Sequence, residues 1–119
     1  MFLKLAHTRL DVFISSQTLE CYKITKFFPA DEKFSMVQQI RRAALSVHLN
    51  IAEGCSRKSK AERTRYFEIA RGSVIEIDSA FDIANKLSYA SPEQLKSLGD
   101  SIIKTFKLLS GMISKSYPN

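Results

Sequence analysis

Apolar residues return every three or four positions along most of this chain, and prolines and glycines break the pattern into four segments. Between 8 and 28, Leu10, Phe13, Ile14, Cys21, Ile24 and Phe28 fall on one helical stripe. Pro29 ends that stripe, because proline has no amide donor and restricts the residue before it. Thr8 with Asp11 is a candidate cap at its start. From 33 to 55 a second stripe holds Phe34, Val37, Ile40, Ala44, Val47 and Ile51, widened by Ala43 and Leu45. Gly54 near its end suits a left-handed C-terminal residue. The third helix runs from 60 to 89 with Tyr66, Phe67, Ala70, Val74, Ile77, Phe81, Ala84 and Leu87 on its apolar face. Ser59 followed by Glu62 forms a capping box at its start. Thirty residues at 1.5 Å each make about 45 Å, long for a small domain. Gly72 inside it costs about 1 kcal/mol against alanine, so a close helix crossing is expected there. Ser91-Pro92-Glu93-Gln94 opens the fourth helix, 93–116, with a second capping box and proline in the first turn. Leu95, Leu98, Ile102, Phe106, Leu109 and Ile113 are its core residues, and Tyr117-Pro118-Asn119 is a tail.

No segment alternates with period two, and no repeat or low-complexity run is present. Four helices joined by short loops predict an all-α, antiparallel up-down-up-down four-helix bundle, one domain over 1–119. At 119 residues with 45% hydrophobic content, such a domain can fold without disulfides or metal.

Charge changes the picture at one place. The net charge is +6, and between 41 and 65 seven basic residues stand against two acidic ones. Arg57, Lys58, Lys60, Arg63 and Arg65 cluster at the turn between helices two and three. Such a cluster can contact phosphates in a salt-sensitive, sequence-tolerant way. It is equally what a solvated, solubilising face looks like. Tyr66 is the nearest aromatic, but its spacing suits the core. The phenylalanines Phe13, Phe27, Phe28, Phe34, Phe67, Phe81 and Phe106 also follow helical spacing, which makes them core or interface residues rather than a base-stacking platform.

Chemistry is sparse. Cys21 and Cys55 are isolated, and His7 and His48 are the only histidines, too few for a zinc site. Both cysteines read as reduced and structural. Asn50 and Glu53 lie one turn apart on one face, and Glu76 on helix three is placed to approach them. A di-iron bundle needs Glu-x-x-His on two helices, and no glutamate here has histidine three residues on. Asn50, Glu53, Arg71 and Glu76 therefore read as structural polar groups, pairing with one another or with Arg41 or Arg42. His48 and Cys55 share a helix face but lie about 10 Å apart, too far for direct proton transfer. No catalytic residue, cofactor or metal is expected. The start, M-F-L-K-L-A-H-T-R-L-D, has no apolar run of signal-peptide length, and no stretch approaches a membrane span. A cytoplasmic protein is the expectation.

Written out, helices two and three carry a resemblance. Phe28-Pro29 with Glu32-Lys33-Phe34, then Gln39-Ile40-Arg41-Arg42-Ala43-Ala44, Asn50-Ile51-Ala52-Glu53-Gly54, and Arg71-Gly72-Ser73 with Glu76 match the four-helix-bundle family named after proteins encoded in 23S rRNA intervening sequences. The end of helix three, Ala84 to Leu87 with Tyr89 and Ser91, also fits, so the match covers about 22–95. The chain departs where the family often has proline (here His48), a glycine (here Ser35) and an N-terminal tryptophan, since it has none. The resemblance implies a left-handed bundle assembling into a ring-like homopentamer, with no settled biochemical activity. More distantly it resembles accessory proteins of diversity-generating retroelements, where a basic pentamer contacts nucleic acid and enzyme. The expectation is a non-enzymatic, pentameric bundle that binds RNA or DNA through the basic turn. The alternative is a scaffold that contacts another protein and no nucleic acid.

Overall fold

A computed structural model describes residues 8–116, with side-chain surroundings for 14–115. Four α-helices follow one another: α1 Thr8–Thr25, α2 Met36–Ser56, α3 Lys60–Lys86 and α4 Pro92–Ser116, with one 3-10 turn at Ala30–Glu32. The proposed Thr8–Asp11 cap, the core placement of Leu10 and Phe13, and the tail 117–119 lie outside the described residues or side chains.

Each helix packs on two neighbours, α1 on α2 and α4, and α3 on α2 and α4. Directions follow from the cross-contacts. Arg41 early in α2 bonds the carbonyl of Tyr22 late in α1, while Thr18 reaches the carbonyl of Ala44. Ser73 pairs with Ser46, while the earlier Phe67 lies against the later Gly54. Arg71 bonds Ser110, while Asn85 and Leu95 line one cleft. Each successive helix therefore runs against the last, giving an antiparallel four-helix bundle. The shared core comprises Ile40, Val47 and Ile51 of α2, Phe67, Val74 and Ile77 of α3, Leu98 and Leu109 of α4, and Ile14 and Cys21 of α1. All recur at helical spacing, which is why the stripes read from the sequence point inward.

Several expectations need correction. α1 stops at Thr25, whose hydroxyl bonds the Cys21 carbonyl at 2.7 Å, and the next residues fold into tight turns. α2 starts only at Met36, so Phe34 precedes the helix and stands in solvent. α3 ends at Lys86 because Ser88 adopts φ 59°, the left-handed region. Ser88 donates to the Asn85 carbonyl and Tyr89 to the Ala84 carbonyl, a Schellman motif with serine where glycine is usual. Phe106, Leu45 and Leu87 are exposed at the bundle's rim rather than in its core. Gly72 also faces outward, with open space where a Cβ would stand, so no close crossing compensates it. Gly54 is helical and not left-handed; close approach happens here instead, against the Phe67 ring.

The α4 capping box forms in full and the α3 box in its serine half. Ser59 Oγ accepts from the Glu62 amide, and Ser91 and Gln94 bond each other's backbone amides reciprocally at 3.0 and 3.2 Å.

The end of the bundle opposite the basic turn is fastened by side chains. Phe28 meets Phe81 edge-on at 6.0 Å and Tyr89 at 5.3 Å. Glu32 accepts from Ser35 at 2.6 Å and from the Tyr89 hydroxyl at 2.8 Å, tying the α1–α2 connection to the α3–α4 connection. The Ser35 bond, and after it the Tyr89 bond, hold the Glu32 carboxyl below its usual range, and the Tyr89 phenol is raised mainly by the same contact. Because the folded carboxyl titrates lower than the unfolded one, its contribution is present above the ordinary carboxylate range and disappears as pH falls through the folded value. In Tyr89→Phe the Glu32 titration, followed by NMR, should move back up. An unchanged titration would mean that Tyr89 does not hold Glu32 in solution.

Candidate nucleic-acid interface

The basic turn joins the end of α2 to the start of α3. Arg57 caps α2 in extended conformation, its amide bonding the Gly54 carbonyl. Its guanidinium donates to Glu53 Oε2 at 3.1 Å and to the Tyr66 hydroxyl at 3.2 Å. Tyr66 is the hub: the guanidinium carbons of Arg57 and Arg65 lie 5.2 and 5.7 Å from its ring centroid. Its phenol is the largest influence raising the Arg57 pKa, opposed by desolvation and supported by Glu53. Arg63 points back into the turn and donates to the carbonyls of Arg57 at 3.0 Å and Lys58 at 2.6 Å. It thereby satisfies the carbonyl of the α2 C-cap and that of the turn residue after it. Lys58 and Lys60 are exposed and have no side-chain partner among the described residues.

The five cations thus divide by task. Arg63 holds the turn. Arg57 and Arg65 are stacked on Tyr66, with Arg57 also paired to Glu53. Lys58 and Lys60 are exposed, with no side-chain partner among the described residues. Tyr66 is the part that sequence reading missed. Its helical spacing fits the core stripe, but it is only half-buried; the signal available was its place one residue after Arg65 and three after Arg63.

The structural polar set does not form one site. Asn50 donates to the Ser46 carbonyl at 2.9 Å and hydroxyl at 3.0 Å, and Ser73 donates to the same hydroxyl at 2.9 Å, a small network on the α2–α3 seam. Glu53 turns to Arg57 rather than to Arg41, Arg42 or Arg71. Arg71 crosses to α4, bonding Ser110 at 3.2 Å with its guanidinium 5.8 Å from the Phe106 ring centroid. Glu76 is exposed. Arg41 bonds Thr25 and lies 4.8 Å over Tyr22.

The thiols are poorly suited to nucleophilic chemistry. Burial pushes Cys21 up to about 12, with Glu20 adding to the shift, and burial also raises half-buried Cys55. Neither is in a disulfide. No group of three or more potential metal ligands occurs among the described residues. No helix among them is long and apolar enough to cross a membrane.

An antiparallel four-helix bundle with a cationic turn at one end is a common architecture, and sequence comparison narrows it. The chain belongs to the 23S rRNA-intervening sequence protein family, whose model matches residues 12–111. The fold is similar to the crystal structure of a protein with unknown function from the S23 ribosomal protein family of Bacteroides thetaiotaomicron. That likeness has a TM-score of 0.75 at 24% identity, over 87% of this chain and 96% of the other. No curated protein matches the sequence.

Proposed function

We propose that this chain is a non-enzymatic assembly protein: a homo-oligomer, pentameric by family resemblance, that presents its α2–α3 turns to nucleic-acid phosphates. The observation that carries this reading is the pair Lys58 and Lys60, exposed and unpartnered on a turn whose shape is held by Arg63 and Tyr66. α3 begins at the same place, so the positive end of its dipole adds to the lysines. Arg57 and Arg65 add charge beside them, with a stacked geometry that keeps their guanidinium groups in place. One turn offers few contacts. Repetition around an oligomer raises the effective concentration of each further contact, so modest single-site affinity becomes useful.

Binding of the wild-type chain to generic RNA and DNA, measured by anisotropy over a salt series, tests the reading. A linear log–log dependence is expected, and Lys58→Gln with Lys60→Gln should flatten it by about 0.7–0.9 for each lysine in contact. Arg63→Gln should instead loosen the turn, which thermal unfolding reads separately. Binding that is absent at low salt, or independent of salt, would leave the scaffold reading, in which the same turn meets an acidic protein partner. A monomeric mass across the micromolar range would refute the oligomer.

A further inference from the structure

At the end of the bundle that carries the basic turn, aromatic rings and cations are paired with each other. Tyr66 has the guanidinium groups of Arg57 and Arg65 at 5.2 and 5.7 Å from its ring centroid, and Arg57 also bonds its hydroxyl at 3.2 Å. Further along the same half of the bundle, the Phe106 ring carries the Arg71 guanidinium at 5.8 Å. Phe67, beside Tyr66 in sequence, is buried. The most exposed rings, Phe27 and Phe34, sit in the α1–α2 connection at the opposite end. Near the basic turn, each described aromatic ring is therefore either buried or occupied by a guanidinium group.

This arrangement bears on which nucleic acid the turn takes. Proteins that bind single strands combine a cationic groove with open aromatic faces on which successive bases stack. Tyr66 serves its own neighbours instead. It holds two long, rotamer-rich side chains that would otherwise lose their freedom at the moment of binding. Cations fixed in advance favour a ligand whose phosphates are also fixed in advance. A duplex offers them at constant spacing, with one charge per roughly 1.7 Å of axis against roughly 3.4 Å for one strand. Between 53 and 65 five basic residues stand against Glu53 and Glu62, and Glu53 is paired with Arg57. Arg63 donates to the carbonyls of the turn. Lys58, Lys60 and Arg65, all exposed, are left to carry the phosphate contacts.

We infer that the ligand of the basic turn is a nucleic-acid duplex read through its backbone, and that Tyr66 is the positioning residue behind its preference over single strands. This rests on the phosphate-binding reading above and narrows its ligand. The shared chemistry is the paired sugar–phosphate backbone, which RNA and DNA duplexes both supply.

The test uses the full chain, a pyrimidine single strand, and the same strand paired with its complement, each as RNA and as DNA. Concentrations are expressed per phosphate. For three contacts, a salt slope of about 0.9 per contact on duplex against about 0.7 on single strand gives the duplex about fourfold tighter binding at about 0.1 M salt. Fixed phosphate spacing adds to that factor. Tyr66→Leu should bring duplex affinity down to the single-strand level and leave single-strand affinity unchanged, because a flexible strand can follow loosened arginines. Tyr66→Phe keeps the ring, loses only the bond to Arg57, and should retain most of the duplex preference. Thermal unfolding checks that both variants remain folded. A duplex preference in either sugar form supports the inference, and the form preferred names the source. Single strands that bind as tightly as duplexes would overturn it while leaving the phosphate reading standing. Tyr66→Leu weakening both ligands equally would overturn the positioning role of Tyr66. The chain has no tryptophan and four tyrosines, so a base stacking on Tyr66 would quench tyrosine emission. Quenching by the single strand that disappears in Tyr66→Phe would likewise overturn the inference. Absence of binding to every ligand at low salt would remove the phosphate reading as well.

Discussion

Gly54→Ala is expected to destabilise the bundle by about 1–2 kcal/mol, although alanine is the better helix former. Two effects oppose each other. Within a helix, alanine gains about 1 kcal/mol over glycine. The new Cβ, however, would stand 2.5 Å from Cε1 and 2.8 Å from Cδ1 of Phe67. That ring is buried in the α2–α3 interface and has no solvent to move into. Overpacking of this kind costs about 1–3 kcal/mol. A clash of this depth falls at the upper part of that range, so sterics should win. Gly72→Ala supplies the contrast, because nothing lies within 4 Å of its Cβ position and the residue is exposed. There the propensity gain should appear alone, as a rise of up to about 1 kcal/mol. Urea unfolding reads both as midpoint shifts at unchanged slope. Phe67→Leu should relieve part of the Gly54→Ala penalty, giving a coupling energy in the double-mutant cycle. A Gly54→Ala protein as stable as wild type would show that the ring moves freely, and the close packing of α2 on α3 would have to be reconsidered.

Gly54 also marks how far a sequence can be read. The stripe of α2 is visible because burial repeats with the helical period, and Val37, Ile40, Ala44, Val47 and Ile51 are all buried. A glycine near a helix end is usually there for backbone conformation, so Gly54 reads as a cap. Its requirement comes from a ring thirteen residues later on another helix, which local pattern does not contain. Ser88 is the converse case. It ends α3 in a left-handed conformation usually marked by glycine, and the helix therefore reads three residues too long. The Ser59 cap and the Ser91–Gln94 capping box were legible because both act within one turn. The basic turn was legible as charge, since charge needs no partner to be counted. Its division was not. Arg63 differs from Lys60 only through its bonds to the carbonyls of Arg57 and Lys58, and those depend on the path of the turn. Phe34 and Phe106 fit their stripes by number, but one precedes its helix and the other lies on the rim facing α3.

Gln17→Leu is expected to stabilise the fold by about 1–3 kcal/mol. Gln17 continues the buried face of α1, between Ile14 and Cys21, and is wholly buried. Neither its amide nitrogen nor its amide oxygen has a hydrogen-bond partner among the described residues. A buried amide without partners costs about 1–3 kcal/mol by mutational data. Leucine of similar size removes that cost and keeps the site filled, whereas Gln17→Ala would open a cavity and lose packing. The neighbouring polar contact lies at the edge of the same helix, where Ser101 donates to Glu20 at 3.2 Å across the α1–α4 interface. Glu20 should be unaffected, because it is half-buried and already has a donor. The variant also tests whether the polar residue serves specificity. A single buried polar group can fix helix register at a cost in stability. If Gln17 does so, the leucine variant will unfold at higher urea while its amide NMR spectrum broadens or doubles. A variant that is more stable and retains one sharp spectrum would limit the role of Gln17 to a local cost. A less stable variant would show that the amide is hydrogen-bonded in solution, and that the core of α1 is arranged differently around it.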